Sequence, residues 1–297
     1  MYISRRDFLK FCTASSAALA LSPLDILDLE QALANPTGAS VLWLQGAGCT
    51  GCSVSMLNLI SPSAPTTVAD LLIHTINLAY HPNLMAVAGG TGVAVAREVY
   101  NVGGYVLAVE GGILTAFDGN ACWAWTENGQ DVTIADAVIS LSSRAASVLS
   151  VGTCAAWGGI PAAYPNPTGV KSVSAILGKA TVNIPGCPPY PDWMVWTIAK
   201  LLSGSLGSLD EYGRPAGLFP KKVHDVCPRK GMGETKTYAA DGRCMKELGC
   251  QGPKTSADCP TLQWNNRVNW CVEANTPCIG CTNPTFPAST LRKKEEA

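Results

Sequence analysis

The residues of this chain best suited to chemistry are its sulfurs. Thirteen cysteines occur in 297 residues. That number is odd, and a chain of this length buries enough core to need no disulfide framework. Cys49-x2-Cys52 sits in a glycine-rich turn after an apolar run, and Cys154 and Cys187 each follow a later run. If those runs are parallel strands, their ends lie along one sheet edge, where open α/β sheets bind ligands. Cys49, Cys52, Cys154 and Cys187 then meet in one pocket, and four thiolates suit either tetrahedral zinc or an iron–sulfur cluster.

The second half of the chain is denser in the same donors. His224-x2-Cys227-x16-Cys244-x5-Cys250 forms one group and Cys259-x11-Cys271-x6-Cys278-x2-Cys281 another. Proline follows Cys187, Cys227 and Cys259 and precedes Cys278, fixing the turn beside each ligand. Either group alone could hold zinc. Taken together, eleven cysteines and one histidine make three sets of four, leaving only Cys12 and Cys122. Three closed zinc sites would be purely structural. Three iron–sulfur clusters would make an electron relay. Two other readings compete. Gly46-Ala47-Gly48-Cys49-Thr50-Gly51, with Asp70 beyond it, matches a dinucleotide fingerprint, but sulfur offers nothing to a pyrophosphate. Buried cysteines can act as small hydrophobes, but that does not explain why each follows a strand at a glycine-rich turn.

The elements that must position these ligands read as α/β. Val41–Gln45, Tyr105–Val109, Ser147–Val151 and Thr181–Ile184 have the character of buried strands. Ser53–Ile60, Val68–Leu78, Ile134–Ala146, Lys171–Leu177 and Pro191–Leu202 have helical character. Alternation of the two predicts a doubly wound parallel sheet over 35–212. From about Tyr212 periodic segments nearly vanish, so 213–297 is expected to be a loop-rich domain held by something other than a core.

Ser4-Arg5-Arg6-Asp7-Phe8-Leu9-Lys10, the apolar stretch Phe11–Leu21 and Ala32-Leu33-Ala34 occur in order. They predict that residues 1–34 are a twin-arginine signal peptide, which exports folded, cofactor-loaded proteins to the periplasm. No later run is long enough to cross a bilayer, and the charged tail Leu291–Ala297 offers no anchor. Charged residues are only 14% and net charge is −1, which argues against disorder and against nucleic-acid binding through basic surface.

Several motifs carry a family resemblance. They are Trp43-Leu44-Gln45-Gly46-x-Gly48-Cys49-Thr50-Gly51-Cys52-Ser53, Tyr80-His81 with Met85, Glu110-Gly111, Gly152-Thr153-Cys154-Ala155-Ala156-Trp157-Gly158-Gly159 and Pro185-Gly186-Cys187-Pro188-Pro189. Later come His224-x-x-Cys227-Pro228, Gly242-x-Cys244-x-x-Glu247-Leu248-Gly249-Cys250-x-Gly252-Pro253, Cys259-Pro260, Trp264-Asn265 and Pro277-Cys278-Ile279-Gly280-Cys281. From about Val41 to Phe286 the chain closely resembles the small subunit of periplasmic nickel–iron hydrogenases.

That resemblance implies a flavodoxin-like sheet followed by an iron–sulfur domain. It implies a proximal 4Fe–4S cluster on Cys49, Cys52, Cys154 and Cys187. The distal 4Fe–4S cluster falls to His224, Cys227, Cys244 and Cys250. The medial ligands are Cys259, Cys278 and Cys281. Most relatives have proline at the position of Cys271 and a 3Fe–4S medial cluster. A fourth thiolate here implies a medial 4Fe–4S cluster instead, with the lower potential that its added charge gives, as in the nickel–iron–selenium branch. Oxygen-tolerant relatives carry two extra cysteines at positions matching Gly51 and Gly159, so an ordinary proximal cubane is implied. No nickel belongs to this chain: the dihydrogen-splitting centre is implied in a large-subunit partner, across a hydrophobic interface. The implied electron acceptor is a multihaem c-type cytochrome. Glu110 is expected on a proton route or at the interface with the partner, or else as a helix or turn cap. His81 is expected as a buried hydrogen-bonded residue and Cys122 as structural. The rival functions are an iron–sulfur subunit of another exported redox complex and an envelope zinc or disulfide protein.

Overall fold

A computed structural model describes residues 39–61, 65–238 and 241–288. The expected signal peptide, with Cys12, and the charged tail lie outside the described residues.

The first strand, β1 (Ala39–Gln45), leads through a tight turn into α1 (Gly51–Leu57). Then come α2 (Val68–His74), β2 (Ile76–Tyr80), α3 (Gly89–Val102) and β3 (Val106–Glu110). A two-stranded antiparallel hairpin, β4 (Trp123–Glu127) and β5 (Gln130–Thr133), precedes α4 (Ile134–Ser142). The domain continues with β6 (Ser147–Val151), α5 (Gly152–Trp157), α6 (Val173–Leu177), β7 (Val182–Ile184) and α7 (Pro191–Leu202). Side-chain oxygens of Thr67, Thr133 and Ser172 cap α2, α4 and α6 by accepting backbone N–H groups. Pro191 occupies the first turn of α7, where its missing N–H costs nothing.

The five-stranded sheet has the order β2-β1-β3-β6-β7, and every pairing in it is parallel. Counted along the chain, its strands stand in the order 2-1-3-4-5, the flavodoxin-like arrangement. Alternation along β1 serves both faces. Val41 and Trp43 enter one core with α1, α2 and α7, while Leu42 and Leu44 enter the other with α3, α4 and α6. Beyond α7 the chain runs as turns, short 3-10 segments and two single-turn helices, α8 (Cys259–Leu262) and α9 (Trp264–Arg267). This loop-rich part does share a core: Phe219, Val223, Met245, Ala257, Trp270 and Val272 are buried in the cluster that holds α7.

Two differences from the sequence expectation have physical causes. The helix expected over Val68–Leu78 stops at His74, and Ile76–Leu78 belong to β2, which pairs with β1 at Ala39, Ser40 and Val41. Short apolar runs read alike as helix or strand until a neighbouring strand claims their hydrogen bonds. The helix α3 escapes notice because Gly89, Gly90 and Gly92 weaken its first turn, yet Val93 and Ala96 bury its inner face.

Candidate metal-cluster sites

Three strand ends build the first site. The chain leaves β1 at Gln45 and enters α1 with Thr50 in a left-handed conformation (φ 63°), placing Cys49 before the helix and Cys52 in its first turn. Strand β6 feeds α5 through Gly152, and Cys154 lies in the first turn of that helix. Strand β7 ends at Ile184, three residues before Cys187. Because the strands are parallel, these ends share one edge, and the structure brings the four thiols together. Cys52 is raised well above the ordinary thiol range by burial first, then by Glu110, Cys154, Cys187 and Cys49. Cys154 is pushed up to about 11 by burial and then by Cys187. Glycine is required where backbone meets sulfur. Gly152 has φ +82°, and a Cβ there would stand 2.5 Å from the Cys52 Sγ. A Cβ at Gly51 would stand 3.0 Å from the Cys49 Sγ, and one at Gly159 3.0 Å from the Cys154 Sγ.

Glu110, at the end of β3, is buried and faces α1. Its carboxylate accepts from the backbone N–H groups of Cys52 (2.9 Å) and Ser53 (3.3 Å), the Ser53 hydroxyl (2.5 Å), Trp43 Nε1 (3.1 Å) and Gln45 Nε2 (3.1 Å). It is therefore a clamp on the segment that carries Cys52, and a negative charge beside that thiol. His81 completes this network as a neutral ring. Its Nδ1 accepts from the Asn83 N–H (3.2 Å), so Nε2 carries the proton and donates to Ser53 Oγ (2.9 Å). Burial lowers its pKa to about 4, against the pull of Glu110.

The second half supplies two more gatherings. His224 lies on a 3-10 turn, Val223–Val226, and Gly252 packs between it and Cys250: a Cβ there would be 3.5 Å from the Cys250 Sγ and 3.7 Å from the His224 Cβ. Cys227 is raised by burial, and Cys250 and Cys244 add to the rise. In the other gathering, Cys259 and Cys278 are each pushed up to about 12, and burial is the largest cause. Cys271 acts on both, and Cys281 is raised by burial and then by Cys259.

The three gatherings touch in series. Cys187 lies close enough to Cys281 to act on its thiol. Thr153 accepts from Gly186 N–H at 2.9 Å and donates to the Cys281 carbonyl. At the other junction the Cys278 N–H donates to the Cys250 Sγ (3.3 Å), and the Gln251 N–H to the Cys278 carbonyl (2.8 Å). The Cys259 group thus stands between the other two. Cys122 stays outside them, half-buried against the opposite core.

The donors suit iron–sulfur clusters. All described cysteines are free thiols. Buried thiols with raised pKa values carry their protons at neutral pH, so thiolates here need a positive centre among them, which iron supplies. A single tetrahedral zinc ion would draw its sulfurs to within about 4 Å of one another. Among the described residues, no three such side chains converge on a single-ion site.

Sequence reasoning missed a buried polar group beside Cys259. Among the described residues, Tyr190 Oη, Trp193 Nε1, Thr197 Oγ1 and Asp258 Oδ1 are buried with no partner at full hydrogen-bonding geometry. Even so, the Tyr190 hydroxyl lies close enough to the Cys259 sulfur to hold that thiol's pKa down, and Trp193 does the same for Asp258. Tyr190 is locked by stacking on Trp264 and by an edge contact with Trp193. The available signal was position: Tyr190 falls three residues after Cys187, and Asp258 directly precedes Cys259.

The chain is similar to known proteins. Residues 49–201 match a family described as NADH ubiquinone oxidoreductase, 20 Kd subunit, and residues 219–292 match the C-terminal family of the NiFe/NiFeSe hydrogenase small subunit. The chain is 39% identical to a periplasmic [NiFeSe] hydrogenase small subunit of Desulfomicrobium baculatum, over 97% of each chain. It is 37% identical to a periplasmic [NiFe] hydrogenase small subunit of Solidesulfovibrio fructosivorans, over 96% of this chain and 90% of the other. Among solved structures, the recombinant [NiFeSe] hydrogenase of Desulfovibrio vulgaris Hildenborough superposes with a TM-score of 0.80 at 38% identity, covering 86% of this chain and 98% of that one.

Proposed function

Because the chain belongs to the family of nickel–iron and nickel–iron–selenium hydrogenase small subunits, we propose that its three ligand sets form a single electron path between a large-subunit hydrogen centre and an outside carrier. Cys49, Cys52, Cys154 and Cys187 hold the proximal 4Fe–4S cluster. Cys259, Cys271, Cys278 and Cys281 hold the medial one, and His224, Cys227, Cys244 and Cys250 the distal one. When bound, these clusters supply one-electron chemistry with little rearrangement of the protein. The observation that carries the reading is the serial contact of the sets, through Thr153 between Gly186 and the Cys281 carbonyl and through the Cys278 N–H on the Cys250 sulfur.

The protein's own side chains set the terms of transfer. Glu110 fixes the backbone at Cys52 and adds negative charge beside it, which favours the oxidised form of the proximal set. Cys271 adds a fourth thiolate to the medial set and acts in the same direction, whereas neutral His224 lowers the charge of the distal set. Gly51 and Gly159 leave the proximal set with four thiolates and no more.

The partner at the proximal edge is the large subunit, and the acceptor is a multihaem c-type cytochrome met in the periplasm after twin-arginine export. Among the described residues, no helix is long and apolar enough to cross a membrane. The test is dihydrogen-dependent dye reduction by the purified heterodimer, with iron and sulfide counted in the small subunit. Dye reduction together with cluster iron supports the reading. A colourless protein that holds zinc, or one with paired disulfides, overturns it.

A further inference from the structure

Charge is unevenly distributed along this chain. Residues 221–254 contain eight lysines and arginines but four aspartates and glutamates, although the whole sequence is net −1. This positive stretch is also the one that carries His224, Cys227, Cys244 and Cys250. Its loops are tied to one another. The Lys222 Nζ donates to Ser256 Oγ (3.0 Å), Arg229 Nη1 reaches the Arg243 carbonyl (3.5 Å), and the backbone of Glu234 bridges to that of Cys244.

Most of the acids on this surface are already neutralised. Asp225 pairs with Lys230 (3.5 Å), Glu234 with Lys246 (2.8 Å) and Asp241 with Arg243 (2.6 Å). Lys221, Lys236 and Lys254 are exposed, and none of them makes an ion pair among the described residues. Met232 and Tyr238, 59% and 63% exposed, add apolar contact area to the same loops. Positive charge around apolar contact area, over a redox site, steers and seats a partner of opposite charge.

We propose that this face docks an electron-carrier protein whose own redox centre is ringed by carboxylates. The proposal rests on the relay reading and specifies the electrostatics of its outer end; a cytochrome qualifies where acids, not lysines, surround its exposed haem edge. In each encounter one electron would pass to the carrier from the cluster that His224, Cys227, Cys244 and Cys250 would hold, leaving that cluster oxidised by one electron and the carrier reduced by one. No bond forms and no proton moves. An anionic membrane surface would meet the same charge, but a membrane accepts no electron from the set beneath these loops.

The test uses the holo-heterodimer under dihydrogen. Reduction of an acidic ferredoxin or flavodoxin is compared with that of a basic c-type cytochrome, over a range of salt concentrations, in wild type and in the triple variant Lys221→Glu, Lys236→Glu, Lys254→Glu. A viologen dye reports the relay independently of docking. The proposal expects the acidic carrier to be faster at low salt and to slow steeply as salt rises. It expects kcat/KM for that carrier to fall at least tenfold in the triple variant while dye reduction stays unchanged. Faster reduction of the basic carrier, indifference to salt, or a variant whose only defect is lost binding to anionic phospholipid vesicles would overturn it. Failure of dye reduction in wild type would instead remove the relay reading on which the proposal stands.

Discussion

The backbone N–H of Cys278 donates to the sulfur of Cys250 across 3.3 Å. In the proposed relay the two cysteines belong to different ligand sets, and this contact joins them without an intervening side chain. At the other junction the Thr153 hydroxyl bridges the Gly186 N–H and the Cys281 carbonyl. A backbone donor aimed at a ligand sulfur also stabilises the more negative, reduced state of that site. The path and its tuning therefore share the same atoms.

In the proposed relay, Cys271 is the residue that sets the iron content of the middle cluster. Cys271→Pro should leave three thiolates there and produce the EPR signal of an oxidised 3Fe–4S cluster, at a higher potential than the native site. The check is an oxidised-state spectrum of the variant heterodimer. An unchanged spectrum would remove Cys271 from the ligand set.

Gly152 should tolerate no side chain. With φ at +82° and a Cβ contact of 2.5 Å to the Cys52 Sγ, Gly152→Ala is expected to prevent assembly of the proximal set while sparing the other two. Iron analysis should show the loss of one cluster's share. Full iron content with normal turnover would contradict the tight approach of β6 to Cys52.

The Tyr190 hydroxyl lies beside Cys259, close enough to act on its sulfur. Tyr190→Phe keeps the stacking on Trp264 but removes the hydroxyl beside Cys259. The medial potential should move negative by roughly 59 mV, which corresponds to a tenfold change in the reduced-to-oxidised ratio for one electron. Potentiometric EPR of the variant measures this, and a shift confined to the proximal or distal signal would show that the hydroxyl acts elsewhere.

His81 makes the fold acid-sensitive in a defined window. Its folded-state pKa of about 4 lies below the ordinary value of 6.5, so the unfolded chain takes up the proton first as pH falls. Stability is then lost between about pH 6.5 and 4, by up to about 3 kcal/mol. His81→Gln keeps a donor for Ser53 and removes the titration. Its unfolding midpoint should depend less on pH across that window than the wild-type midpoint does, and equal slopes would contradict the assignment.

The sheet and its ligand edge were legible because buried parallel strands are continuous apolar runs, and Val41–Gln45 and Ser147–Val151 end at glycine-rich turns that carry cysteine. Strand β2 was not legible. Ile76–Tyr80 has only an irregular apolar pattern, and its pairing with Ala39–Leu42 is a long-range property that no local window contains. The sequence offers its twelve donors only as a count of three groups of four. What no spacing could give is their order in space, which depends on Cys281 folding back to Cys187 and Cys278 to Cys250. Glu110 was visible as a strand-end carboxylate, but its five donors come from Trp43, Gln45, Cys52 and Ser53, which only the folded sheet assembles.

Redox-poised EPR of the purified heterodimer, with iron and sulfide counted on the same sample, bears most directly on the chain of cages. Three one-electron reductions should appear in the small subunit, with neighbouring signals broadened by magnetic coupling and no 3Fe–4S signal in the oxidised state. A missing reduction step, a native 3Fe–4S signal, or three signals with no coupling between neighbours would contradict the path through Cys281 and Cys250.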